Sequence, residues 1–133
     1  MRYWMICLIA ALTAPSAHAA ERRFSIGATA FAEHDIIDAR AQPDLGGQAT
    51  ILITFSAAAA KRLETETAAH IGKPVDIKLD DTVLMSPIVR EPIAGGTLQI
   101  SGGQISGGLT FEAAVKLAKS ISGKDPLPDD LQE

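Results

Sequence analysis

Residues 49–79 read ATILITFSAAAAKRLETETAAHIGKPVDIKL. Ile51, Ile53 and Phe55 alternate with Thr50, Leu52 and Thr54, and both sets are apolar or β-branched. A strand dressed that way on both faces belongs inside a sheet rather than at its edge. Ser56 is placed to cap a following helix, with Phe55 and Ala60 at the two positions of a hydrophobic staple. Ala60, Leu63, Thr67 and Ile71 recur at helical spacing and predict one buried stripe, while Lys61, Arg62, Glu64 and Glu66 point elsewhere. Gly72 and Pro74 close the helix. Val75, Ile77 and Leu79 then alternate with Asp76 and Lys78, the pattern of a half-exposed antiparallel strand.

Downstream, Asp80-Asp81 predicts a two-residue hairpin turn, although glycine suits its second position better. Thr82 to Met85 returns as the partner strand, Ser86-Pro87 bends it before Ile88-Val89, and a glycine-rich strand segment follows. Thr110 caps a last helix whose apolar stripe is Phe111, Ala114, Val115, Ala118 and Ile121; Glu112 suits its positive end, and Gly123 stops it. Upstream, Arg22 to Phe31 is β-prone, with Phe24, Ile26 and Ala28 on one face, residues His34 to Ala39 predict a brief helix, and Gln42 to Gly47 a loop. The order of elements is that of an α+β domain: a mostly antiparallel sheet with two helices on one face, ferredoxin-like in arrangement. The expected divisions are an N-terminal strand and loop segment at 20–48, the main domain at 49–123 and a disordered tail at 124–133.

Residues 1–19 read as a cleavable secretory signal: Arg2, then the apolar run Tyr3 to Leu12, then Ala17-His18-Ala19, with cleavage expected after Ala19. That run is too short for a spanning helix, which needs about 20 apolar residues. Cys7 lies within it and is the chain's one cysteine, so the processed protein is expected to hold no disulfide and no thiolate metal site. Removing Arg2 leaves 11 of the 12 basic residues against 16 acidic ones, a net charge of −5. An acidic balance disfavours nucleic acid and anionic membrane as partners, and no integral membrane segment is expected after processing. The expected location is the periplasm.

Residues 79–112 read LDDTVLMSPIVREPIAGGTLQISGGQISGGLTFE. Leu79-Asp80, Pro87-Ile88-Val89, Gly95-Gly96, Gln99-Ile100-Ser101-Gly102 and Leu109-Thr110-Phe111-Glu112-Ala113, in this order and spacing, resemble the periplasmic P1 head subdomain of SecD, an accessory subunit of bacterial protein export. The resemblance spans roughly residues 49–121, beginning with the strand and helix at 49–71. It implies a SecD P1 head-like α+β fold and a non-enzymatic role in protein export, binding polypeptide or an envelope partner, including components of the Sec translocon. The membrane-embedded, proton-driven part of SecD is not implied. Two departures stand out. Asp81 occupies a position where the family's hairpin has glycine, and Gln-Ile-Ser-Gly-Gly occurs twice in tandem, at 99–103 and 104–108. A five-residue addition cannot keep strand facing, so a bulge or longer loop is expected there.

Other chemistry is thinly supported. The glycines lack the Lys-Ser/Thr ending of a phosphate loop, and Ser101 and Ser106 do not sit in a nucleophile elbow. His34 and His70 are the two histidines after the leader, too few for a closed zinc site; His70 suits the negative end of its helix. No catalytic residue, cofactor or metal is expected. Arg90, Glu91, Gln99, Ser101, Gln104 and Ser106 are the candidate partner contacts, with Arg90-Glu91 read equally well as an outward salt-bridging pair. The alternative is a small periplasmic enzyme or enzyme subunit on the same scaffold, which a pocket combining His34 or Asp35 with a second polar group would favour.

Overall fold

The computed structural model describes residues 23–105 and 108–128; the leader and Ser106 lie outside them. The chain runs β1 (Phe24–Ile26), β2 (Thr29–Phe31), a 3-10 turn (Glu33–Asp35), β3 (Ile36–Pro43), β4 (Ala49–Phe55) and α1 (Ala57–Ala68). It continues through β5 (Ile77–Leu79), β6 (Thr82–Met85), β7 (Thr97–Ser101), a 3-10 turn (Gly102–Gln104) and α2 (Phe111–Ser122).

The α+β class and the antiparallel strand pairing are as expected, but the strands divide between two sheets, ordered β2-β1-β5-β6 and β3-β4-β7. The strand on either side of α1 therefore belongs to a different sheet, unlike the single ferredoxin-like sheet the element order suggests. Both sheets draw strands from residues 24–43 as well as from residues after 49, and they share one core. Register puts Ala39, Ala41, Ile51, Ile53, Leu98 and Ile100 on one face of the second sheet. Phe24, Phe31 and Phe55 join the two sheets, with Phe31 and Phe55 centroids 4.9 Å apart and Phe24 and Phe55 6.5 Å apart.

Two N-terminal expectations are corrected. Within the β-prone stretch expected over Arg22 to Phe31, whose first residue lies outside the described residues, Phe24 to Phe31 form a hairpin turning at Gly27-Ala28, so Phe31 takes the inward place assigned to Ala28 and pairs with Phe24. The helix expected over His34 to Ala39 is one 3-10 turn followed by strand. Ile36 and Ala39 gain more by pairing with Phe55 and Ile53, and a bulge at Ile37 adjusts the register. Ser56 and Thr110 cap the two helices as expected, accepting from the Ala59 and Ala113 amides. Each buried stripe is shifted, however. Ala59, Leu63 and Thr67 line α1, which ends at Ala68, so Ile71 leaves the helical face and bridges to Val89. In α2, Ala114, Ala118 and Ile121 are buried while Phe111 and Val115 are exposed; its alanines let it lie close along β3 and β4.

The tandem repeat resolves into strand and turn. Gln99 to Ser101 complete β7 in unbroken register with β4, and the second copy opens on the turn at Gly102–Gln104. Of the tail expected over 124–133, residues 129–133 lie outside the described residues; in the remainder, Leu127 is hydrogen-bonded through its backbone N–H and C=O to Asp38 and Arg40 of β3.

Asp80 and Asp81 both have left-handed backbones, φ 50° and 67°, the geometry of a type I′ turn, with Leu79 opposite Thr82. Asp80 is compensated, since its carboxylate accepts the Arg23 amide at 3.0 Å, whereas the Asp81 side chain makes no such contact among the described residues. Asp81→Gly should therefore stabilise the protein by about 1 kcal/mol and raise Tm by a few degrees, read by thermal denaturation. Asp80→Gly, which also deletes the Arg23 contact, should gain less or lose.

Candidate functional site

Between β6 and β7 the chain makes a long excursion, and that excursion builds one wall of a groove. Pro87 to Val89 run beside the turn that follows α1: the Val75 amide donates to Pro87 O at 3.0 Å, Val89 N to Lys73 O at 3.0 Å, and Gly72 N to Val89 O at 2.7 Å. Further on, the Ile93 amide donates to Thr67 Oγ1 at 2.9 Å. Thr67 is fully buried in α1 and gives its own proton to the Leu63 carbonyl at 2.8 Å, so a polar residue in an apolar stripe is there to hang the arm. Gly96 then passes over the start of α1. Its φ is 73°, and a side-chain carbon there would lie 3.0 Å from the Ala60 Cβ, so the close return to β7 needs glycine.

The groove so enclosed has a volume of about 280 Å³. Ile26 and Ile77 from the first sheet, Met85 at its edge and Leu98 from the second line it. Ile88, 64% exposed, stands among its lining residues, and Arg90, Glu91, Gln99 and Gln104 supply polar groups. Four of the six residues singled out from sequence thus meet at one place. Ser101 lies at the end of β7 and does not line the groove, and Ser106 is outside the described residues. The apolar lining was missed as a site because Ile26, Ile77 and Leu98 read as ordinary core; the exposed Ile88 between Pro87 and Val89 was the available signal.

His34 and Asp35 meet Arg62 and Arg23 in a separate hollow of about 360 Å³. Its chemistry is that of a lock. Asp35 accepts from Arg62 at 2.6 Å and from the Ala32 amide at 2.9 Å, and its own carbonyl takes the Ser56 amide at 2.8 Å. Burial opposes its charge, but the Arg62 and Ala32 hydrogen bonds and the charges of Arg62 and His34 outweigh that and hold its pKa below the usual 3.8. A carboxylate so committed is a poor proton acceptor, and His34 is 85% exposed. His70 faces Glu66, with Nδ1 2.8 Å from the Glu66 carbonyl and 3.5 Å from its carboxylate. Among the described residues, no three His, Cys, Asp or Glu side chains group so as to hold a metal ion.

Glu66 is the second lock. Its carboxylate accepts the Ala28 amide at 3.0 Å and the Thr29 hydroxyl at 2.9 Å, fastening the β1–β2 turn to α1. The Ala28 hydrogen bond is the main cause of its lowered pKa, acting against burial and helped by Thr29 and His70.

The site is an apolar groove with a polar rim on a small α+β head stitched by internal carboxylates. The family profile of the SecDF P1 head subdomain matches residues 15–124, and the chain belongs to that family. It is 38% identical over 76 residues to the protein translocase subunit SecD of Acidaminococcus fermentans, covering 57% of this chain and 18% of that one. It is 37% identical over 95 residues to the SecDF of Thermus thermophilus, covering 71% of this chain and 12% of that one. A solved structure of SecDF, a membrane component that enhances protein export, superposes with TM-score 0.61 at 33% identity, covering 74% of this chain and 42% of that one. The chain therefore spans less than a fifth of the length of these two curated relatives. No helix among the described residues is long and apolar enough to cross a membrane.

Both locking carboxylates have lowered pKa values, so their stabilisation is complete above their usual 3.8 and 4.5 and is lost as pH falls through the lower folded values. Tm should hold level from neutral pH to about 5 and drop below about 4. Glu66→Gln should lower Tm at pH 6, and the gap to the unmodified protein should close in acid; a gap independent of pH would contradict this assignment.

Proposed function

We propose that this chain is a non-enzymatic periplasmic protein that binds extended polypeptide, or an envelope partner presenting such a segment, in the groove between its two sheets. The observation that carries this reading is the convergence of Arg90, Glu91, Gln99 and Gln104 on a groove lined by Ile26, Ile77, Met85 and Leu98. Apolar side chains of an extended segment would be buried against that lining, and the two glutamine amides, each both donor and acceptor, would meet its main chain without demanding a sequence. The tandem repeat gains a meaning on this reading: Gln99 and Gln104 are the same residue of the two Gln-Ile-Ser-Gly-Gly copies, one delivered by the strand and one by the turn. Membership in the SecDF head family supports a place in protein export, with translocon components as partners, and the leader read at residues 1–19 agrees with the periplasm. The enzyme alternative is disfavoured, because Arg62 engages Asp35, the carboxylate it would use.

Ile88 is exposed and lies outside the named strands, so Ile88→Asp should leave the circular dichroism spectrum intact. It should weaken binding of a reduced, alkylated, permanently unfolded polypeptide by about tenfold or more, about 1.4 kcal/mol. A photocrosslinking residue at position 88 in intact cells should capture exported chains or translocon subunits. Recovery of neither, together with a small-molecule hit in thermal-shift screening, would overturn the reading.

A further inference from the structure

Asp38 and Arg40 lie two residues apart on β3, an edge strand of the second sheet. They form an ion pair, with Arg40 Nε donating to Asp38 Oδ2 at 2.7 Å, and their side chains are only 9% and 15% exposed. Each also reaches the backbone of the same distant residue. Asp38 Oδ1 accepts the Leu127 amide at 2.9 Å, and Arg40 Nη2 donates to the Leu127 carbonyl at 2.7 Å. One acceptor and one donor thus read the N–H and C=O of a single residue, as a neighbouring strand would. The arm cannot itself extend the sheet over Pro126 and Pro128, which lack N–H groups. Side chains take the place of the ladder, and these polar contacts are to main-chain atoms.

We propose that the Asp38–Arg40 pair is a clamp for the main chain of one residue of an extended polypeptide, and that Leu127 occupies it in cis. The partner it fits is an extended chain presenting a residue with a free N–H, flanked by residues that need not pair with β3. Such a segment competes with a tethered arm whose effective concentration is of millimolar order, so the clamp is closed to weak ligands until the arm leaves. This inference is independent of the groove, which lies between the two sheets and includes neither residue.

Leu127→Pro in the full chain removes the amide that Asp38 accepts while keeping every other residue. The probe is the arm's own sequence, Lys-Asp-Pro-Leu-Pro, acetylated and amidated, titrated while the backbone amides of residues 37–41 are followed by NMR. Saturable shifts are expected in L127P, binding at least about tenfold weaker in the unmodified protein and in Leu127→Ala, and loss of binding when Asp38→Asn is added to L127P. The same peptide N-methylated at its leucine, which has no N–H to give, should not bind. Failure of L127P to bind the peptide, or equal binding of the N-methylated form, would overturn the clamp. If L127P does not fold, hydrogen exchange at the Leu127 amide of the unmodified protein decides: millimolar peptide should accelerate it, and an unchanged rate would overturn the proposal. Ile88→Asp should leave all these readouts unaltered, separating failure of the clamp from failure of the groove.

Discussion

The two sheets are held together by three phenylalanine rings, and the rest of the structure depends on that joint. Phe24 and Phe31 come from the first sheet and Phe55 from the last residue of β4 in the second. Aromatic pairs of this kind contribute about 0.5–1.5 kcal/mol each beyond the area they bury. Arg62 extends the joint to α1, its guanidinium lying 5.1 Å from the Phe31 ring centroid while it holds Asp35 at 2.6 Å and donates to the Ala30 carbonyl at 3.0 Å. One side chain thereby ties the first sheet, the turn before β3 and the helix.

The polar groups inside the protein serve the same end. Asp35 and Glu66 fasten α1 to the turns on either side of β2, and Thr67 suspends the arm that walls the groove. Among the described residues no buried side-chain N or O lacks a partner. Beside this stitching the chain from Pro87 to Ile93 is anchored by its backbone hydrogen bonds, with Val89 in the core and Ile88 exposed at the opening. Ile26, Ile77, Met85 and Leu98 form the buried floor of that opening, and Ile88 is its exposed apolar residue.

Much of the local structure was legible in the sequence because it is decided within a few residues. Ser56 and Thr110 accept the amides that their positions before apolar helical runs require, and Asp80-Asp81 turns a two-residue hairpin. The failures share one cause. Residues His34 to Ala39 carry a weak local preference that pairing with β4 overrides, and Ile71 and Phe111 fit a helical period that ends or rotates where a neighbour intervenes. Glu66 read as pointing away from the buried stripe of its helix and Asp35 as half of a possible enzyme pocket, and only the turns they close show that both carboxylates are committed to the fold.

By itself, the sequence determined the α+β class, the antiparallel habit of its strands, the helix caps, the hairpin turn and the family, through short motifs whose order and spacing survive without knowledge of contacts. Only the tertiary structure decided that the strands split into two sheets, that Arg90, Glu91, Gln99 and Gln104 share one groove, and that Leu127 returns to Asp38 and Arg40. The physical reason is range. Periodicity and capping act over one or two turns of chain, whereas the groove and the clamp bring together residues dozens of positions apart.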